Sequence, residues 1–66
     1  MEWTKTEKIL LDGLIYFGLD KEEVIGTMMF LQTEQQQIRM IDYLMNNRNA
    51  TSQDILKETM RIIKDN

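Results

Sequence analysis

Sixty-six residues with no cysteine, no histidine and a formal net charge of −3 exclude more than they assert. A chain this short hides only about 60% of the surface its unfolded form exposes, so residues 1–66 are expected to form one domain held by a few kcal/mol. Without cysteine or histidine, disulfides and ordinary zinc, haem or iron–sulfur ligation are ruled out, and stability has to come from apolar packing, a second subunit included.

No proline and only three glycines interrupt the chain, and its apolar residues recur at helical spacing throughout. The first helix is predicted over about residues 4–17, with Trp3, Leu10, Leu14 and Phe17 on one side and Leu11 and Ile15 beside them. Gly18 is a natural left-handed stop. Asp20 follows as a cap for the next helix, with Glu23 as its capping-box partner and Leu19 and Val24 at the staple positions. The second helix, about 21–31, places Val24, Ile25, Met28 and Leu31 inward.

A third apolar stripe, Ile38, Ile41, Leu44 and Met45, points roughly opposite to the second when both are laid on one helix at ~100° per residue. One straight helix could not bury both stripes on one core. Thr33 with Gln36 repeats the capping-box pattern, so a tight corner is expected near Gln32 and Thr33, with a third helix over about 34–47. The run Asn46-Asn47-Arg48-Asn49 reads as a loop. Thr51 or Ser52 then caps a fourth helix, about 52–64, with Ile55, Leu56, Thr59, Met60, Ile62 and Ile63 inward and Lys57, Arg61 and Lys64 outward. The expected fold is all-α, a compact bundle of four short helices.

Chemistry is sparse. The commonest general base and the most nucleophilic side chain are both missing, and no phosphate-cradling glycine loop, EF-hand loop or nucleophile elbow occurs. Asp20, Glu22 and Glu23 cluster, but acids in a first turn complement the helix dipole. A non-catalytic protein is expected, with no cofactor, no metal and no small-molecule substrate. The opening residues lack the order of a signal peptide and no apolar run could span a bilayer, so the expectation is a cytoplasmic chain with no membrane partner.

The surplus apolar positions carry the functional reading. Ile9 and Tyr16 lie off the first helix's core stripe with Gly13 between them, Phe30 points away from Val24 and Met28, and Met40 and Tyr43 stand off the third helix's inner face. Of six methionines, Met28, Met45 and Met60 read as core, and Met29 and Met40 as candidates for a binding surface. The expected site is a face made from Ile9, Tyr16, the Gly18 turn, Met29, Phe30, Met40 and Tyr43, used by a protein partner or a second copy. Residues 1–34 hold seven acids against three bases, and residues 35–66 four against five. Net acidity disfavours nucleic acid as a partner, and an alternative nucleic-acid face would have to use Arg48, Lys57, Arg61 and Lys64.

Two stretches resemble known families. From Glu7 to Met45, the turn Phe17-Gly18-Leu19, the following Asp20-Lys21-Glu22-Glu23-Val24-Ile25 and the helix end Asp42-Tyr43-Leu44-Met45 resemble a ubiquitin-associated (UBA) domain. That resemblance implies a three-helix core whose turn and third-helix end form a binding surface. This sequence departs from the family in carrying Phe17 where a methionine is usual, and in adding a fourth helix able to cover that surface. From Gln37 to Ile63, the segment Ile38-Arg39-Met40-Ile41-Asp42-Tyr43-Leu44-Met45, an Asn-rich turn and Thr51-Ser52-Gln53-Asp54-Ile55-Leu56 resemble the opening helices of a winged helix-turn-helix domain. There the next helix would read DNA. The sequence supplies none, and its net charge has the wrong sign.

Overall fold

Each helix begins where a side chain can satisfy its first free N–H groups. The computed structural model describes residues 2–65, with α1 at Lys5–Tyr16, α2 at Lys21–Phe30, α3 at Glu34–Asn46 and α4 at Ser52–Asp65. Thr4 with Glu7, Asp20 with Glu23 and Thr33 with Gln36 all form reciprocal capping boxes. Thr51 and Asp54 exchange the same pair of bonds at the start of α4. The Thr4 box was not anticipated. Each expected boundary falls within one residue of the observed one, because the terminal residues assigned to helix act as caps.

α1 ends in a Schellman motif. Gly18 has φ +87°, its N–H donates to the Ile15 carbonyl at 3.0 Å, and the Leu19 N–H donates to the Leu14 carbonyl at 3.2 Å. Leu14 and Leu19 are both buried, so the turn is also sealed by the apolar contact that usually accompanies it.

The corner between α2 and α3 is held by amide side chains. The Gln36 Oε1 accepts from the backbone N–H of Gln32 at 3.0 Å and of Thr33 at 3.1 Å. The Gln37 Nε2 donates to the Leu31 carbonyl at 2.8 Å. Both glutamines are buried, and Leu31 is fully so. The buried Leu31 carbonyl would otherwise be left unpaired, at about 1–3 kcal/mol.

The helices form a ring in the order α1, α3, α4, α2, each packed on two neighbours, and α4 does not reach α1. The Thr6 hydroxyl donates to Glu34 at 3.1 Å near the starts of α1 and α3, and Gly13 lies against Leu44 farther along, so these two run side by side in the same direction. The core is Leu10, Leu14, Leu19, Val24, Leu31, Met40, Leu44, Ile55 and Ile62, with Thr27 and Thr59 buried among them. No described helix is long and apolar enough to cross a membrane.

Several inward assignments are corrected. Trp3 precedes the first helical residue, so α1's phase does not carry it to the core, and it is exposed. Ile15, Ile25, Leu56 and Met60 lie at the edges of their helices' buried arcs and are exposed as well. α3 departs most. Its buried face is Gln36, Gln37, Met40 and Leu44, while Ile38 and Met45 face out, a rotation of about 100° from the expected stripe. The corner explains this, since the two glutamines must point inward to reach it. Met40, expected on the surface, is 0% exposed and sits in the centre of the core.

Two substitutions test these local arguments. Gly18→Ala should lower unfolding stability by about 1–2 kcal/mol through left-handed strain, read from urea denaturation with an unchanged m-value. Gln37→Leu keeps the volume but leaves the Leu31 carbonyl bare, and should cost about 1–3 kcal/mol despite being more apolar.

Candidate functional site

Because α3 is rotated, Met45 and the outer edges of Ile41 and Leu44 stand beside α1. Between them runs a groove of about 220 Å³ lined by Ile9, Gly13, Tyr16 and Phe17 from α1 and Ile41, Leu44 and Met45 from α3, with Arg48 beyond the helix end. Gly13 sets its depth. A Cβ there would come within 3.2 Å of the Leu44 Cδ1, so the glycine lets the helices approach and leaves a trough where a side chain would stand. The walls are open to solvent: Tyr16 is 81% exposed, Met45 62% and Ile9 48%. Tyr16 packs edge-on to Phe17 with ring centroids 5.9 Å apart, which steadies its ring along the rim.

Tyr16 and Arg48 are the only polar side chains of the lining. Among the described residues the ion pairs are Arg39–Asp65 at 3.0 Å and Arg61–Glu58 at 3.6 Å, so Arg48 has no carboxylate partner. The groove is thus an apolar trough with one free cation at its end. Its volume falls below the about 300–1,000 Å³ typical of cavities that engulf small ligands, and its exposed walls suit the side of a polypeptide better.

The expected face does not hold together as one surface. Ile9 and Tyr16 line the α1 wall of this groove, and the exposed Gly18 turn follows directly on Phe17. Met29 and Phe30 belong to a different region, the outer side of α2. Met29 lies in a depression with Trp3, Glu7, Ile25 and Met28, and Phe30 in one with Gly26, Leu56 and Met60. Met40 is in the core. Tyr43 is half-buried against the core and lines a polar depression with Asn46, Asn47, Ala50 and Asp54. Burial, then the nearby carboxylates of Asp54 and Glu58, push its hydroxyl pKa up while Arg61 opposes them, so Tyr43 stays protonated around neutrality.

One groove residue was missed as surface, Met45, because it completed an apparent core stripe, while Ile41 packs against the core as expected and also lines the groove. The signal that could have found it is the pair Gln36-Gln37, whose amides are wanted by the corner that Thr33 announces. Phe17 and Leu44 line the groove, and α4 leaves it uncovered. Asp20 and Glu23 are occupied as each other's caps, at 2.8 and 3.0 Å.

On the alternative face, Lys57, Arg61 and Lys64 are exposed along α4, with Glu58 beside Arg61. Arg48 sits apart from that row at the groove end. The start of α4 carries its own electrostatic signature. The Thr51 backbone N–H, 3.0 Å from the Asp54 Oδ2, and then the Thr51 side chain, hold the Asp54 pKa below the usual carboxylate value. A depressed carboxylate stabilises the fold above its unfolded pKa of about 3.9, and that stabilisation is lost as pH falls through the folded value. Carboxyl-carbon NMR should therefore place the Asp54 midpoint below about 3.9. The Thr51 amide should titrate with it, and Asp54→Asn should abolish that response.

Compared with known protein families, with curated proteins and with solved structures, the chain matches none.

Proposed function

We propose that this protein is a non-catalytic helical interaction module that binds an apolar, carboxylate-bearing segment of a protein partner in the α1/α3 groove. The carrying observation is the convergence of the exposed Ile9, Tyr16 and Met45 on a trough that ends at the unpaired Arg48. Apolar groups at helical spacing on an occupant would fill the trough, and an acidic group would meet the guanidinium, with the bidentate geometry arginine favours. The resemblance to UBA domains supports the same reading, since it implies a surface built from the first turn and the end of the third helix. Catalysis finds little support here, with one phenol and one guanidinium as the groove's only polar side chains.

Glu58 breaks up the positive field of the α4 row, so the nucleic-acid reading gains no support from its surroundings. It makes a separate prediction, namely affinity for duplex DNA that falls steeply with salt.

An NMR titration discriminates between these readings. Amphipathic helical peptides with apolar residues at i, i+4 and i+7, ending in either Glu or Lys, would be added to the labelled protein. Shifts should centre on Ile9, Gly13, Tyr16 and Met45, and the Glu peptide should bind more tightly. Tyr16→Glu with Met45→Glu should weaken binding at least tenfold, about 1.4 kcal/mol, with helical circular dichroism preserved. Arg48→Glu should reverse the peptide preference. No response to either peptide, or duplex DNA shifting the α4 row instead, would overturn the proposal.

A further inference from the structure

The depression between α2 and α4 has two features that packing within the chain does not account for. The first is Gly26 in its wall. Its φ is not positive, and a Cβ built on it would meet nothing within 4 Å. Glycine inside a helix is unfavourable relative to alanine, and here neither backbone conformation nor a close neighbour requires it. Its effect is to leave room against the helix backbone.

The second is Thr27 at the base. Its hydroxyl is buried and has no hydrogen-bond partner. Thr59, equally buried and lining the same depression from α4, donates to the Ile55 carbonyl at 2.9 Å. Thr27 does not make the corresponding bond to the Glu23 carbonyl one turn back, so its Oγ1 is not folded onto its own helix. A buried polar atom left bare costs stability unless something supplies the missing bond.

Phe30, Leu56 and Met60 supply the apolar walls. Glu22 and Glu23 complete the lining, which holds no cation. Glu23 is engaged in capping through the Asp20 N–H, while Glu22 has no ion pair among the described residues. The volume is about 320 Å³, inside the range of about 300–1,000 Å³ that the α1/α3 groove falls below.

We propose that this depression binds a small amphipathic cation, with an aromatic ring against Gly26, Phe30 and Met60, a ring hydroxyl reaching Thr27 and an ammonium group meeting Glu22. Each part answers one observation. A planar ring can lie against the helix backbone where Gly26 has no side chain, with an aromatic and a thioether beside it. A hydroxyl can either donate to or accept from the bare Thr27 oxygen. The ammonium complements the charge of an acidic, cation-free lining. No small molecule was expected from the sequence, because the depression exists only once α2 and α4 lie side by side.

Tyramine is the probe, added to the labelled whole chain and followed by NMR. Shifts should centre on Gly26, Thr27, Leu56 and Met60, with a dissociation constant of about 1 mM or below. Phenethylamine lacks the hydroxyl and 4-ethylphenol lacks the amine, and each should bind about fivefold more weakly. Thr27→Val keeps the shape and removes the bare hydroxyl, so tyramine and phenethylamine should bind it alike. Glu22→Gln should erase the preference for tyramine over 4-ethylphenol. Should Thr27→Val fail to fold, Gly26→Leu serves, because its side chain enters the depression and should block all three compounds. No shifts at ~10 mM tyramine overturn the proposal. So does a hydroxyl preference that survives Thr27→Val, binding that Gly26→Leu leaves intact, or shifts centred on the α1/α3 groove instead.

Discussion

The α2–α3 corner decides how the rest of the molecule is arranged. Leu31 is fully buried at the point where the chain reverses, so its carbonyl needs a partner that water cannot easily supply, while the N–H groups of the exposed Gln32 and Thr33 take theirs from the start of α3. Gln36 and Gln37 provide them, and their inward aim fixes the rotation of α3 about its own axis. With that rotation set, Met40 fills the centre, Leu44 meets Gly13, and Ile38 and Met45 are turned to the outside. The groove beside α1 is a by-product of satisfying three backbone groups at the other end of the same helix.

This order of causes shows what could be read from the sequence. Helix ends were legible, because capping is local chemistry: Asp20 and Glu23, Thr33 and Gln36, and Gly18 each act within a few residues. The corner was legible from the opposed phases of two stripes. Side-chain facing was not, because it depends on which helices become neighbours. α3 touches α1 and α4 but not α2, and a count of apolar residues placed Ile38 and Met45 where polar glutamines were needed. The candidate site was legible only in part. Ile9 and Tyr16 fell in the groove, Met29 and Phe30 on a second face, and Met40 in the core, so one expected surface resolved into two.

Apolar exposure of this kind has a cost in a chain so small. Thr27 is 1% exposed and its hydroxyl has no hydrogen-bond partner, so the seam between α2 and α4 is imperfect at its base as well as uncovered at its rim. Opposite it, the α1/α3 seam is drawn close at Gly13, which leaves a trough beside the contact.

The ring order has a mechanical corollary. α1 with α2 and α3 with α4 are each consecutive in the chain, so the molecule is two helical hairpins joined at Leu31–Thr33. The two remaining contacts, α1 on α3 and α2 on α4, are the lines along which one hairpin rests on the other. The corner held by Gln36 and Gln37 is therefore the one covalent link between the hairpins, and both seams between them are closed by side-chain contacts alone.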